Sequence, residues 1–280
     1  MHCERPVSCL ENKEKKLLEQ MDDLTGQDCC VAFSGGVDSS LLLRLAMDGA
    51  AKNGTRVAAV TFDTVLHPAA DMDFAAKAAQ SMGAEYHVIR VNELEEPRIL
   101  ENPKDRCYLC KRLLFGKLRE FASRKKFPVL LEGTNRDDEK QYRPGIKAVE
   151  ELGIHSPLRK AGLSKAEVRA MAAARGVLSA NRPSAPCLAT RLPYGTRIEK
   201  EVLDRIDQGE QFLKSLGFTD VRLRLHGEIV RLEVSKKEFP DMLVHAKEVC
   251  RHLKEMGFSY ITLDLEGFRS GSMDERTEKM

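Results

Sequence analysis

The chain carries the string Ser34-Gly35-Gly36-Val37-Asp38-Ser39-Ser40 directly after an apolar run at residues 28–33. The run predicts a short buried strand, and the apolar residues after Asp38 have the spacing of a helix. Glycines let the backbone turn tightly, so its N–H groups and the helix N-terminus can approach an anion. The hydroxyls of Ser34 and Ser39 can donate to phosphate, and Asp38 either caps the helix or lies near a metal ion. The string predicts a phosphate-binding loop.

Two common nucleotide-binding loops are excluded by the residues around the glycines. A Walker loop requires Gly-Lys-Ser or Gly-Lys-Thr, which does not follow Gly36. The dinucleotide fingerprint requires a third glycine three residues further on, and it is absent. An ordinary strand-to-helix turn is the alternative for a bare Gly-Gly pair.

Strand-like and helix-like segments alternate through the first part of the chain. Short apolar runs predict strands at 28–33, 56–62, 85–91 and 129–132, and amphipathic stretches predict helices from Asp38, over 68–82 and over 103–126. Helices of this length between strands serve as crossovers between parallel strands. The pattern predicts an α/β fold, in which a parallel sheet carries helices on both faces.

The pattern changes near residue 180, after which a smaller α+β domain is expected. A Pro-rich stretch predicts a loop, and the following segments predict a helix at 199–216, a hairpin of strands 220–226 and 229–234, a helix at 237–256 and a strand at 259–265. We expect a first domain at 1–180, an interdomain loop at 181–195, a C-terminal substrate and oligomerisation domain at 196–270 and a flexible tail at 271–280.

Composition restricts the class of protein. The chain has 280 residues, of which 42% are hydrophobic and 31% charged, and it has no run of about 18 apolar residues that would predict a membrane span. The N-terminal residues lack the apolar core of a signal peptide, so we expect a cytoplasmic protein. Lys and Arg number 45 against 43 Asp and Glu, and this balance argues against a nucleic-acid partner.

Eight cysteines in a chain without an export signal point to metal binding or catalysis rather than to disulfides. Cys107 and Cys110 are three residues apart on a predicted helix, where both thiols share a face beside Arg106. Cys187 lies in the Pro-rich loop, a better place for chemistry than for packing. Three thiols suit a [4Fe-4S] cluster with one open iron, since a structural zinc site normally has four ligands. Zinc, a redox pair and simple packing are the alternatives.

Two further groups of polar residues are candidate binding sites. Residues 133–138 follow the fourth predicted strand, and acidic and amide groups at the carboxyl end of a parallel strand suit a metal–pyrophosphate complex. A polar turn is the alternative there. Arg222 and Arg224 alternate along one predicted strand, so both guanidinium groups face one side and form an anion site, with Glu210 as their expected partner. A solvated strand face is the alternative for this pair.

The string Ser-Gly-Gly-Val-Asp-Ser after a strand resembles the PP-loop of ATP pyrophosphatases, which cleave ATP to AMP and pyrophosphate and form an adenylate. This resemblance implies an adenine nucleotide α-hydrolase-like fold, with ATP and Mg²⁺ as ligands. It also implies that Thr61, Phe62 and Asp63 lie near the adenine and ribose. The phosphates would be bound by the loop residues Ser34, Gly35, Gly36, Val37, Asp38 and Ser39.

Most of the chain, from about Leu17 to Leu265, resembles the LarE family of ATP-dependent sulfur transferases. Besides the loop, the resemblance rests on the strings Asp-Arg-Cys-Tyr-Leu-Cys-Lys, Gly-Thr-Asn-Arg-Asp-Asp, Tyr-Arg-Pro-Gly, Ser-Pro-Leu-Arg-Lys-Ala-Gly-Leu-Ser-Lys and Pro-Cys-Leu-Ala-Thr-Arg-Leu-Pro-Tyr-Gly. Enzymes of this family adenylate a carboxylate of a pyridinium dicarboxylate mononucleotide and convert it to a thiocarboxylate. Their product leads to the nickel-pincer nucleotide cofactor of lactate racemase.

The family has two variants that differ in the source of sulfur. In one, a single cysteine, matching Cys187, gives up its own sulfur; in the other, three cysteines hold a [4Fe-4S] cluster whose bound sulfide is transferred. This sequence resembles the second variant through Cys107, Cys110 and Cys187. The resemblance implies catalysis by Cys187, Glu210 and Asp38, nucleotide binding by Arg106, Gly133, Thr134 and Asp137, and substrate binding by Arg143, Arg191, Arg222 and Arg224. A homo-oligomer and a sulfide donor are further expected partners.

Two other functions compete with this one. A tRNA thiolase also combines a PP-loop with a three-cysteine cluster, but it would need a broad basic surface and would bind tRNA in a salt-sensitive way. The net charge of only +2 favours the transferase over the thiolase. A non-enzymatic nucleotide sensor with a structural zinc site would bind nucleotide and zinc without turnover.

Overall fold

A computed structural model describes residues 7–68, 70–140, 144–182, 186–269 and 272–273. The chain divides into two compact units. The first comprises Met1–Thr64, Ala69–Glu93 and Asp105–Ala185, and the second comprises Val65–Pro68, Leu94–Lys104 and Pro186–Met280. No helix in the described part of the chain is long and apolar enough to cross a membrane.

Helices and strands follow one another along the chain in this order. The helices are α1 (Val7–Thr25), α2 (Val37–Asn53), α3 (Ala70–Ser81), α4 (Pro97–Leu100), α5 (Arg106–Lys125), α6 (Gly145–Glu151), α7 (Pro157–Lys160), α8 (Lys165–Ala174), α9 (Lys200–Ser215), α10 (Phe239–Val244) and α11 (Ala246–Glu255). The strands are β1 (Cys29–Ala32), β2 (Val57–Thr64), β3 (Glu85–Val91), β4 (Val129–Leu131), β5 (Arg222–His226), β6 (Ile229–Glu233) and β7 (Tyr260–Leu263). Short 3-10 helices lie at Glu93–Glu95, Arg136–Lys140, Leu188–Arg191 and Lys236–Glu238.

The first unit is built on a parallel sheet with the strand order β3-β2-β1-β4. This confirms the predicted α/β fold. The chain moves outward from β1 to β2 and β3, then returns to place β4 on the other side of β1. Ligands of open parallel sheets bind where the strand order reverses in this way, at the carboxyl ends of the strands. Here that place is the end of β1 and β4.

The two faces of this sheet carry separate cores, because successive strand residues point to opposite faces. Cys29 of β1 packs in one core with Leu17 of α1 and Leu41 of α2. Cys30 packs in the other with Phe115 and Leu118 of α5. Helices therefore cover both faces, as predicted.

Helix α1 is an element that sequence analysis missed. Leu17 and Met21 of this helix are almost completely buried in the first core. Their spacing of four residues places both side chains on one face of the helix. Helix α1 is thus part of the first unit's core.

The second unit contains a sheet with the order β5-β6-β7, in which β5 and β6 are antiparallel and β7 is parallel to β6. The predicted hairpin at β5 and β6 is confirmed. The single helix predicted at 237–256 is wrong, since α10 ends and α11 begins at His245. The apolar Leu243 and Val244 before this break are 69% and 80% exposed, so they do not continue a buried stripe.

Residues 94–104 belong to the second unit because their backbone bonds to segments far along the chain. The Asn102 side chain donates to the carbonyl oxygen of Pro193 at 2.8 Å, and the Gly195 N–H donates to the carbonyl oxygen of Asn102 at 2.8 Å. The Ile198 N–H donates to the carbonyl oxygen of Leu100 at 2.8 Å. No local sequence pattern indicates these contacts.

Candidate functional site

The loop after β1 turns its two serine hydroxyls toward each other. The Ser34 N–H donates to Ser39 Oγ at 3.2 Å, and the two Oγ atoms are also 3.2 Å apart. Gly35 has a φ of +71°, and a Cβ there would lie 3.1 Å from the Cα of Ala75. Both the left-handed backbone and the close neighbour require glycine. The loop therefore has a fixed shape at the N-terminus of α2, where a phosphate group is favoured.

Asp38 lies inside the first turn of α2 and does not cap it, because the N-cap residue is Gly36. Its carboxylate accepts hydrogen bonds from Lys165 Nζ and, at 3.1 Å, from Asn135 Nδ2. Of the two roles that the sequence leaves open for Asp38, helix capping is thus wrong. Asn135 belongs to the segment 133–138 that the sequence marks as a candidate site, but sequence analysis assigned no role to Lys165. The capping box of Ser164 at the start of α8 is the signal that marks the position of Lys165.

The segment after β4 passes close to the phosphate-binding loop. A Cβ on Gly133 would lie 3.0 Å from the Ser39 nitrogen and 3.1 Å from the Asp38 carbonyl carbon. The Thr134 hydroxyl donates to the buried Glu132 carboxylate at 2.7 Å. Because β1 and β4 are neighbours, the structure brings these predicted site residues together at the point where the strand order reverses.

Asn135 and Asp137 form a hydrogen-bonded turn beside this loop. The Asp137 N–H donates to Asn135 Oδ1 at 2.9 Å, and the Lys165 N–H donates to Asp137 Oδ2 at 2.8 Å. Together with Asp38, Asp137 supplies carboxylate oxygens, which Mg²⁺ prefers as ligands, whereas Asn135 turns its amide nitrogen to Asp38 and uses its oxygen to accept the Asp137 N–H. The two carboxylates are therefore the candidate ligands for a magnesium ion.

The three residues predicted near adenine and ribose end up in different surroundings. The Thr61 hydroxyl donates to the carbonyl oxygen of Phe33 at 2.6 Å and is buried. Phe62 packs edge-to-face against Phe115, with ring centroids 6.1 Å apart. Asp63 is partly exposed, with its carboxylate 3.4 Å from Arg90 Nε. Thr61 therefore ties β2 to the end of β1, while the other two side chains lie farther along β2.

Two of the three candidate cluster cysteines stand on the first turns of α5. Cys107 is exposed and Cys110 is partly buried. Arg106 is buried, and its Nη2 lies 3.9 Å from Cys107 Sγ, where a cation offsets the charge of a metal-bound thiolate. This pair fits two thiolate ligands on one helix face.

The third cysteine, Cys187, lies in the second unit and is partly buried. Its carbonyl oxygen accepts hydrogen bonds from the Thr190 hydroxyl at 2.8 Å and from Arg191 Nη1 at 3.3 Å. Within the described part of the chain, no three His, Cys, Asp or Glu side chains are grouped so that they could hold a metal ion. Arg143, a predicted substrate-binding residue, lies outside the described residues.

Glu210 forms a hydrogen-bonded ion pair with Arg191, a partner that the sequence did not indicate, and it also interacts through charge with the arginines of β5. Arg191 Nε and Nη2 donate to the two oxygens of Glu210 at 2.8 Å each. The same carboxylate accepts the Leu223 N–H at 3.0 Å. Burial alone would raise the pKa of Glu210, but the hydrogen bonds and charge of Arg191 outweigh it and hold the pKa below its usual value. The carboxylate is thus a fixed anion.

Arg222 and Arg224 lie side by side on β5 and are both buried. Arg224 donates to Glu233 at 3.0 Å and to the carbonyl oxygen of Thr190 at 2.9 Å. Burial and the charges of Arg191 and Arg224 lower the pKa of Arg222 below its usual value. Three guanidinium groups therefore share this region with the carboxylates of Glu210 and Glu233, an environment that favours an added anion.

Comparison with known proteins adds independent information. The family model of the PP-loop domain matches residues 9–139 of this chain. Pyridinium-3,5-bisthiocarboxylic acid mononucleotide synthase of Lactiplantibacillus plantarum is 35% identical to it over 98% of each chain. An uncharacterized protein of Synechocystis sp. is 34% identical over 95% of this chain and 98% of its own length. Another, from Methanocaldococcus jannaschii, is 26% identical over 91% of this chain and 98% of its own length.

Proposed function

This chain belongs to the LarE family of ATP-dependent sulfurtransferases, and we propose that it converts a carboxylate of a pyridinium dicarboxylate mononucleotide to a thiocarboxylate. The observation that carries this proposal is the phosphate-binding loop at the N-terminus of α2, where the Ser34 and Ser39 hydroxyls face each other and Asn135 donates to Asp38. The relative at 35% identity is named as the synthase of the bisthiocarboxylic acid mononucleotide. A homo-oligomer and a separate sulfide donor are further parts of this proposal.

The first unit binds ATP in this proposal. The backbone N–H groups and hydroxyls at Ser34–Ser39 hold the phosphates, while Asp38 and Asp137 would supply carboxylate oxygens to a Mg²⁺ ion, which would offset phosphate charge. A substrate carboxylate oxygen attacks the α-phosphorus, the bond from that phosphorus to the bridging oxygen breaks, and pyrophosphate leaves. The product is an acyl-adenylate. The loop's N–H groups stabilise the charge that develops on the leaving pyrophosphate.

The second unit binds the mononucleotide phosphate. Arg222 and Arg224 present adjacent guanidinium groups, which pair with phosphate oxygens through two parallel hydrogen bonds. Glu210 acts as a positioning residue, because its carboxylate is fully engaged by Arg191 and the Leu223 N–H. Arg191 in turn holds the backbone at Cys187.

Sulfur then replaces AMP on the activated carbonyl carbon. We propose that Cys107, Cys110 and Cys187 are thiolate ligands of a [4Fe-4S] cluster, which would supply an iron able to bind the sulfide for transfer. The exposure of Cys107 and the partly buried states of Cys110 and Cys187 leave these thiols accessible for ligation. The competing route, in which Cys187 gives up its own sulfur, does not require Cys107 or Cys110.

The test measures AMP, pyrophosphate and thiocarboxylate after anaerobic incubation with ATP and the pyridinium substrate. Iron and acid-labile sulfide are measured on the same samples of the wild type and of Cys107→Ala, Cys187→Ala and Cys250→Ala. The last variant is the matched control, since Cys250 is a partly buried cysteine on α11.

Each outcome supports one of the competing mechanisms or substrates. We expect about four irons per chain, lost with Cys107→Ala and Cys187→Ala but kept with Cys250→Ala. Product formation without iron, abolished only by Cys187→Ala, would replace the cluster with the sacrificial route. Absence of AMP with the pyridinium substrate, together with salt-sensitive retention of tRNA, would replace the sulfurtransferase substrate with tRNA.

A further inference from the structure

Lys165 places a positive charge at the phosphate-binding loop from a distant part of the chain. Its Nζ bonds to Asp38 in the first turn of α2, although 127 positions separate the two residues. Its backbone is held in place, since the Lys165 N–H donates to Asp137 Oδ2 at 2.8 Å and the preceding Ser164 caps α8. The stem of this side chain therefore starts from a fixed point beside the loop.

The position of Lys165 is unfavourable for the helix that carries it. It is the first residue of α8, where the positive end of the helix dipole disfavours a cation. Residues that break a local rule in this way occur most often at functional sites. The side chains of Lys165 and Asp38 are 33% and 20% exposed. Neutralising a fully buried charge therefore does not explain why this ion pair is present.

The phosphate-binding loop itself contains no cation. The string 34–40 holds serines, glycines, a valine and an aspartate, whereas the Walker loop has its own lysine for the β- and γ-phosphates. Polyphosphate bound here would add several negative charges next to Asp38. The ammonium group of Lys165 already reaches Asp38. It can offset the added phosphate charge by rotation about the bonds of its flexible four-carbon stem.

We propose that Lys165 is the lysine that binds the ATP polyphosphate, and that it exchanges Asp38 for phosphate oxygens when ATP binds. Without nucleotide, the ammonium neutralises Asp38. A magnesium ion held by Asp38 would compete with the ammonium for that carboxylate, and bound ATP offers the ammonium several anionic phosphate oxygens in its place, so the ammonium transfers to the phosphates. Lys165 then stabilises the charge of the departing pyrophosphate. The inference rests on the use of ATP by this site, and it adds the residue that recognises the β- and γ-phosphates.

A second ion pair on the same helix provides the matched control. Lys13 Nζ bonds to the Glu167 carboxylate of α8 at 2.7 Å, with side chains 19% and 23% exposed. This pair joins α1 to α8 and involves none of the loop residues. Lys13→Met thus removes an ion pair of similar burial without changing the charge beside Asp38.

The experiment is calorimetric titration of ATP, pyrophosphate and AMP into the wild type, Lys165→Met, Lys165→Arg and Lys13→Met. We expect Lys165→Met to weaken ATP and pyrophosphate binding by at least about tenfold while AMP affinity changes little, because one charged hydrogen-bond donor is lost. Lys165→Arg, which keeps the charge, should recover part of the loss. Lys13→Met should bind all three ligands as the wild type does.

The outcomes separate this inference from the proposed function. Equal weakening of ATP and AMP in Lys165→Met, or no change in either, would overturn the role of Lys165 in phosphate recognition. A wild type that binds neither ATP nor pyrophosphate would overturn the use of ATP itself. Melting temperatures show whether each variant is folded. If Lys165→Met is unfolded, the ATP, pyrophosphate and AMP affinities of Lys165→Arg provide the test in its place.

Discussion

Arg191 and Glu210 form a two-point ion pair in the second unit, with nitrogen-to-oxygen distances of 2.8 Å on both sides. The side chains are only 3% and 2% exposed. A buried pair of this kind is weak evidence for stability by itself, but loss of one partner leaves the other charge without compensation. The pair therefore makes the region around Cys187 sensitive to single substitutions.

Glu210→Gln should lower the free energy of unfolding by about 3 kcal/mol, since the Arg191 guanidinium stays buried without its counter-charge. Urea denaturation measures this change. Glu255→Gln is the control, because Arg251 and Glu255 form an exposed pair at 3.1 Å on α11 and should contribute less than about 0.5 kcal/mol. Equal losses in both variants would show that Arg191 finds another partner or water.

The ion pair of Lys13 and Glu167 makes stability depend on pH. Burial alone would raise the pKa of Glu167, but hydrogen bonds from Lys13 and Ser164 outweigh it and lower the pKa from 4.5 to about 2. Since the folded-state pKa is depressed, the contribution is fully present above pH 4.5 and is lost as the pH falls toward 2. Glu167→Gln should reduce this pH dependence, measured by denaturation at a series of pH values. An unchanged slope in the variant would assign the acid sensitivity to other carboxylates.

The cysteines of β1 and α5 should react with iodoacetamide at very different rates in metal-free, reduced protein. Burial, with the charge of Asp28, raises the pKa of Cys29 to about 12, and burial also raises the pKa of Cys30. Cys107 is exposed, so its alkylation in native protein should be at least about a hundredfold faster than that of Cys29. Peptide mass spectrometry measures both rates, and guanidinium should abolish the difference. Comparable native rates would mean that β1 opens readily.

Gly133→Ala should weaken ATP binding by at least about tenfold, because the new methyl group displaces the backbone at Ser39 and Asp38. Gly116→Ala is the control on α5, where no atom lies within 4 Å of the added carbon. That variant should bind ATP normally and gain up to about 1 kcal/mol of stability from the lower entropy of the unfolded chain. Normal ATP affinity in Gly133→Ala would show that the loop can move away at little cost.

Local patterns predicted the elements of the first sheet because each strand is a short apolar run next to an amphipathic helix. The string at 34–40 also placed the phosphate-binding loop correctly between β1 and α2. The partner of Asp38 could not be predicted in the same way. Lys165 lies 127 positions from Asp38 in the sequence, so this contact depends on the tertiary fold and not on a local pattern.

Local sequence patterns also could not predict which residues form ion pairs in the second unit. The alternation of Arg222 and Arg224 correctly indicated two buried neighbours, but it did not reveal that Glu210 bonds to Arg191. Several acidic residues lie near each arginine in the sequence, and only the packing of the folded chain determines which of them forms the ion pair. The break at His245 was missed because the amphipathic pattern runs on through both helices.

The central place of β1 has a consequence for the exchange of backbone amide hydrogens with water. Cys29 and Val31 are paired with β2 on one side and β4 on the other, whereas β3 pairs with β2 only and leaves Val88 44% exposed. Amides of β1 should therefore exchange only when the whole unit opens, while those of β3 exchange through local fluctuations. The phosphate-binding loop follows β1, which β2 separates from β3, so local motion at the β3 edge should leave the shape of the loop unchanged.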